Sequence, residues 1–202
     1  MVATNSAMVP LGTIAPNFSL RDVLSGTTVT RAQYAGHPLL VSFICNHCPY
    51  VQFMRSALAH VTADYLARGV AVVGISSNDA EAHPEDGPEA MAREAHAAGY
   101  RFPYLFDAEQ SVALSYRAAC TPDFFLFDAE HRLFYRGQFC SARRKLQPEQ
   151  TPTGADLTAA VDALLRADPP PQPQRPSIGC NIKWRADREP DYFAGLVVKP
   201  RV

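Results

Sequence analysis

Residues 39–45 read LLVSFIC, an apolar run interrupted only by Ser42 and ending on a cysteine. A run with so little polar alternation is expected of a strand buried on both faces of a sheet. Asn46, His47, Cys48 and Pro49 follow directly, and from Pro49 to Arg68 the residues Val51, Met54, Leu58, Val61 and Leu66 recur at roughly helical spacing until Gly69 ends the pattern. Pro49 stands near the start of this helix, where a missing amide hydrogen costs nothing. Val70 to Ser76 (VAVVGIS) is a second buried strand. One intervening helix makes the pair a right-handed parallel crossover. The chain is therefore α/β, with a sheet core and a two-cysteine turn where its first buried strand feeds a helix.

The rest of the chain extends this core. Phe18 to Asp22 and Thr27 to Thr30 flank the turn LSG and read as an additional amino-terminal hairpin. A polar stretch, 77–87, leads into a helix from Pro88 to Ala98 closed by Gly99, then a short strand from Phe102 to Phe106 and a short helix from Gln110 to Arg117. Phe124 to Asp128 and Arg132 to Arg136 flank the turn DAEH as a hairpin, and Gly154 to Ala167 is a last amphipathic helix. Pro169 to Pro176 (PPPQPQRP) can enter neither a helix nor a central strand and runs extended. The expected organisation is a domain over 1–168 and a proline-rich arm over 169–202, docked on it through the apolar segment Ser177 to Trp184 (SIGCNIKW). Gly179 there permits close backbone approach.

With 202 residues, 47% apolar and 19% charged, the chain can bury a full core. Its formal net charge is -1 and no block of Lys and Arg occurs, which argues against nucleic acid or an anionic membrane as partner. No basic segment followed by an apolar one opens the sequence, and no run approaches the ~18 apolar residues of a membrane span, so a cytoplasmic location is expected. Five cysteines is an odd number in a chain too large to need disulfide staples, so at least one thiol stands outside any pairing.

A CxxC between strand and helix has a specific use. The strand end fixes the first sulfur, and the unpaired amides of the helix start stabilise a thiolate. Cys45 is then expected to be the more exposed, more acidic nucleophile, and Cys48 to resolve the mixed disulfide. Structural zinc would need a second ligand pair, whereas Cys120, Cys140 and Cys180 are isolated, although His47 offers a ligand. Covalent haem attachment is excluded because Pro49, not histidine, follows Cys48. His47 can favour a Cys45 thiolate as an imidazolium or stand in solvent at the helix start, and both readings are open. Neither metal nor organic cofactor is required.

The segments ICNHCPYV, ACTPDFFLFD, FYRGQF and SIGCNIKW, in this order, resemble the peroxiredoxin-like branch of the thioredoxin superfamily, within the alkyl hydroperoxide reductase and thiol-specific antioxidant group. The resemblance spans about residues 8–185 and implies a thioredoxin fold, a central mixed sheet flanked by helices. Peroxidases of this group carry a Thr three residues before the peroxidatic cysteine and an Arg beside it. Matching CP to CP puts Cys48 at that cysteine, Cys45 at the Thr and Pro122 at the Arg. In thioredoxins the last place holds a cis proline, which Thr121 and Pro122 resemble, and the Thr121 backbone there can pair with an extended substrate strand.

These departures favour a thiol:disulfide oxidoreductase exchanging disulfides with protein or small-thiol substrates and reset by a cellular dithiol. A thiol peroxidase and a non-enzymatic redox-sensing module are the alternatives. Cys120 and Cys180 are candidate additional redox thiols, each weighed against simple packing; Cys140 is taken as incidental.

Overall fold

A computed structural model describes residues 3–142, 149–186 and 188–198. The buried run forms β4 (Leu39–Phe43), preceded by β1 (Ala3–Asn5), β2 (Ser19–Asp22) and β3 (Thr28–Thr30), and followed by α1 (Pro49–Ala67) and β5 (Ala71–Ser76). Next come α2 (Pro88–Ala98), β6 (Tyr104–Phe106), α3 (Ser111–Tyr116), β7 (Cys120–Thr121), β8 (Asp123–Phe127), β9 (Leu133–Gly137), α4 (Ala155–Leu165) and β10 (Ile178–Asn181).

Seven strands form a mixed sheet in the order β3-β2-β6-β5-β4-β8-β9. The crossover through α1 makes β4 and β5 parallel, with Leu39 opposite Ala71 and Phe43 opposite Ile75; β8 runs antiparallel on the other side of β4. All five residues of β4 are buried, as a strand covered on both faces requires. Leu40, Val72, Phe124 and Leu126 pack on one face with Leu58, Met91 and Leu157 from α1, α2 and α4. Leu39, Val41, Phe43, Val73 and Phe125 pack on the other with Tyr116 from α3. The amino-terminal hairpin is no appendage: β2 pairs with β6, so the hairpin is the edge of the main sheet.

The ends of the chain build a second sheet, in the order β1-β10-β7. Ala3 faces Cys180, and Cys180 faces Thr121, in antiparallel register. The proline-rich stretch forms neither helix nor strand, as its composition requires, but it bends at Gln172 and Pro173, which a cis peptide joins, rather than running extended throughout. It leads into β10, which pairs with β7 just before β8. Residues 187 and 199–202 of the arm, like 1–2 and 143–148, lie outside the described residues. Among the described residues no helix is long and apolar enough to cross a membrane.

Candidate active site: three thiols around one helix start

Cys45 lies just past β4, held there because the Ile44 amide still donates to the Ile75 carbonyl. α1 does not begin at Cys45. Its first residue is Pro49, so the helix cap is Cys48, and the partial positive charge of the helix start falls on the second cysteine. Both thiols are buried, Cys45 1% and Cys48 0% exposed, which removes the expected difference in access.

The Cys45 sulfur lies 3.3 Å from the Thr121 hydroxyl, and the Cys48 thiol donates to the Thr121 carbonyl at 3.0 Å. Thr121 precedes Pro122 through a cis peptide bond, as the resemblance implied. The Thr121 edge is not open to a substrate strand, however, because β10 occupies it. The approach is so close that a Cβ on Gly179 would fall on the Thr121 carbonyl oxygen. β10 also carries Cys180, which is buried and is the register partner of Thr121, the residue whose carbonyl takes the Cys48 thiol. Cys45, Cys48, Thr121, Pro122 and Cys180 thus converge, with Pro49 as the first helical residue.

Their surroundings push the thiols in opposite directions. Burial opposes ionisation of Cys48, but hydrogen bonds from Cys180, Cys45 and Thr121, with the Val51 amide of α1, outweigh it and hold this thiol well below its ordinary value. Cys45 is pushed up by its hydrogen bond to Cys48, by burial and by the nearby Asp86 carboxylate. Cys180 is raised by its bond to Cys48 and by burial. These directions run against the expectation that Cys45 is the acidic thiol: α1 starts at Pro49, as its spacing predicts, and its cap is Cys48.

His47 does not act as a lone cation beside Cys45. Its Nδ1 is hydrogen-bonded to Asp86, a bond that raises the imidazole's pKa against the effect of burial. Asp86 is fully buried and was not signalled by any sequence pattern. It accepts the amides of Asn46 at 2.8 Å and His47 at 3.2 Å, and the Asn78 side-chain amide at 2.7 Å. Burial alone would raise its carboxyl group, and the bonds from His47 and Asn78 hold it down instead. Asn78 in turn accepts the Lys183 amide at 2.8 Å, while Gln110 donates to the Lys183 carbonyl at 2.8 Å and accepts the Arg185 amide at 2.9 Å. One polar network therefore fixes both the cysteine turn and the arm; its members come from a polar stretch without regular spacing and from a left-handed Gln110.

Cys120 is packed and pushed well up by burial, its sulfur 3.6 Å from the Pro122 carbonyl, and joins no thiol pair. Cys140 packs in the core beside Phe139. All five cysteines are thiols, with no disulfide. Among the described residues, Cys45, His47 and Asp86 place potential ligand atoms within 4.8 Å of one another, as do His47, His83 and Glu85. In both groups His47 is already engaged by Asp86.

Residues 11–136 match the AhpC/TSA family model. The chain belongs to the AhpC/TSA family. This places it in the redoxin branch of the thioredoxin superfamily, in agreement with the central mixed sheet and flanking helices. It is similar to an uncharacterized conserved protein from Geobacillus kaustophilus, at 45% identity over 92% of this chain and 98% of that one, with a TM-score of 0.88. A hypothetical protein from Sinorhizobium meliloti 1021 is 52% identical over 91% of this chain and 99% of that one, with a TM-score of 0.87. A secreted Mycobacterium tuberculosis disulfide oxidoreductase homologous to E. coli DsbE shares the fold, at 20% identity over 73% of this chain and 96% of that one and a TM-score of 0.57. No curated protein gives a significant match.

Proposed function

We propose that the protein is a thiol:disulfide oxidoreductase in which Cys48 attacks and Cys45 resolves. The observation that carries this reading is the position of Cys48 as the cap of α1, where the helix start favours a thiolate, with Cys45 three residues before it in the same turn. The Cys48 thiolate attacks one sulfur of a substrate disulfide, forming a mixed disulfide and expelling the other substrate sulfur as a thiolate. Cys45 then loses its proton and attacks the Cys48 sulfur. The Cys45–Cys48 disulfide forms, the second substrate thiolate leaves, and two electrons have passed to the substrate. A dithiol reductant returns the pair to thiols; no organic cofactor or metal takes part. Substrates are disulfide-bearing proteins or small disulfides.

Insulin reduction by dithiothreitol tests the reading. The wild-type protein accelerates it and Cys48→Ser does not; a rate no higher than that of dithiothreitol alone would count against exchange activity. Peroxide reduction at Cys48 is the second reading, favoured by AhpC/TSA membership and by the cysteine's place at a helix start. With Cys45 where the resembling peroxidases carry Thr and Pro122 where they carry Arg, peroxide is expected to react slowly. Fast, saturating oxidation of Cys48 by hydrogen peroxide would favour that second reading.

A further inference from the structure

Cys48 has two thiol neighbours. Cys45 lies three residues before it in the same turn; Cys180 comes to it on β10, as the register partner of Thr121, whose carbonyl takes the Cys48 thiol at 3.0 Å, and β10 simultaneously fills the Thr121 edge. We propose that Cys180 is a second resolving thiol, and that a Cys48–Cys180 disulfide is a strap that closes the site by pinning the carboxyl-terminal arm over the edge where a substrate strand would pair. This rests on the reading of Cys48 as the attacking thiol.

Three independent features place the arm for this role. Gly179 lets its backbone lie against Thr121 and Pro122 where a side chain would collide. Cys180 and Thr121 are register partners, and the Thr121 carbonyl also receives the Cys48 thiol at 3.0 Å, so both cysteines are held at one residue. On the far side, Lys183 is anchored through Asn78 to Asp86, the residue that holds the turn of Cys45 and Cys48. Packing alone would ask only for an apolar side chain at position 180. Cys45 and Cys48 are both buried, so a substrate reaches either sulfur only when part of the structure over them moves, and β10, paired with Thr121 beside both sulfurs, is the element assigned that movement. A disulfide from Cys48 to Cys180 prevents that, whereas one from Cys48 to Cys45 leaves the arm free to move.

The chemistry is thiol–disulfide exchange throughout. A disulfide RSSR attacked by Cys48 gives Cys48–S–S–R and RS⁻; the Cys180 thiolate attacks the Cys48 sulfur, forming Cys48–Cys180 and releasing the second RS⁻. The Cys45 thiolate can later attack Cys48 again, forming Cys45–Cys48 and returning Cys180 to the thiol state without net transfer of electrons. The arm is thus locked or released according to which neighbour holds Cys48.

The full-length protein is treated with glutathione disulfide, quenched in acid, alkylated and mapped by mass spectrometry, using wild type, Cys45→Ser and Cys45→Ser/Cys180→Ser. Cys45→Ser is expected to give a Cys48–Cys180 disulfide, and the double variant to stop as a Cys48–glutathione adduct. Proteolysis at the proline-rich spacer should be slower in oxidised Cys45→Ser than in its reduced form. A stable glutathione adduct on Cys48 in Cys45→Ser, with Cys180 still alkylated, would overturn the proposal. If wild type also fails to form any disulfide from Cys48, it is the reading of the attacking thiol that fails; if wild type forms Cys45–Cys48 and only the Cys180 pairing is missing, the strap alone fails. Circular dichroism of each reduced variant checks that the fold is retained.

Discussion

Cys45 and Cys48 sit on one continuous strand, turn and helix, β4 to α1, packed into the middle of a seven-stranded sheet; Cys180 comes to Thr121, the residue both sulfurs touch, from a four-residue strand at the far end of the chain. The first region is held by large apolar side chains on both faces of the sheet. The second is held by short backbone ladders, one glycine, the polar network through Asn78 and Gln110, and a few apolar side chains, chiefly Ile182 and Trp184. Burial of a continuous core is cooperative and hard to open, whereas short ladders with few apolar contacts open at low cost. A site that needs a fixed nucleophile and a removable cover is made by joining the two kinds of construction.

The largest effect that separates the halves is catalytic. Cys48→Ser should reduce disulfide exchange by more than about a hundredfold, because no attacking thiolate is left. Cys45→Ser should retain the first attack and fall in steady-state turnover. Equal loss in both variants, with no mixed disulfide detectable in Cys45→Ser, would erase the assigned roles.

Two glycines sharpen the contrast. Gly74 lies in β5, where a Cβ would stand 2.8 Å from Phe102 and 3.2 Å from Ile44 and Tyr104, so Gly74→Ala overpacks the core at about 1–3 kcal/mol. Its melting temperature should fall while Cys48 stays protected from alkylation. Gly179→Ala drives a methyl group into the Thr121 carbonyl and should dislodge β10, so Cys48 and Cys180 should both alkylate faster. If Gly179→Ala leaves both rates unchanged, the arm is not the cover. Truncation after Asp168 extends the test. It removes Ile182, buried, and Trp184, partly buried, and at roughly 1.5–3 kcal/mol for a fully buried large apolar side chain it should lower the melting temperature measurably.

These two regions also differ in how far they can be read from residues. LLVSFI and VAVVGIS announce β4 and β5 because strands buried on both faces cannot hide their apolar run, and the spacing of Val51, Met54, Leu58 and Val61 marks α1. The second sheet has no such signature: β1, β7 and β10 are two to four residues long, and backbone pairing carries no side-chain pattern. The cysteine pair is legible as a motif, and so is the start of α1 at Pro49; what the residues do not show is that Thr121 lies against both sulfurs and that β10 brings Cys180 to it. Asp86 is silent in the sequence because an aspartate in a polar stretch looks like any turn former. Only its burial, with His47 and Asn78 around it, distinguishes it.

A smaller effect follows from that residue. His47 is raised by Asp86, so its contribution to stability is complete below the unfolded histidine value of about 6.5 and is lost as pH rises through its folded value. Asp86 is lowered, so its contribution is present above the unfolded carboxylate value of about 4 and is lost as pH falls through its folded value. The stability difference between wild type and Asp86→Asn should therefore peak between about pH 4 and 6.5, at about 1–3 kcal/mol, and shrink on either side. Urea denaturation across that range checks it. A difference that grows steadily above neutral pH would separate Asp86 from His47.

The central claim is that Cys48, at the start of α1, is the thiolate of the pair. Thiolate absorbance in the ultraviolet, followed from acid to mildly alkaline pH in wild type, Cys45→Ser and Cys48→Ser, tests it without dependence on the access of a reagent. Wild type and Cys45→Ser are predicted to gain thiolate absorbance well below the ordinary thiol range of about 8.5, and Cys48→Ser to lose that step. A low-pH step that survives in Cys48→Ser and disappears in Cys45→Ser would contradict the account.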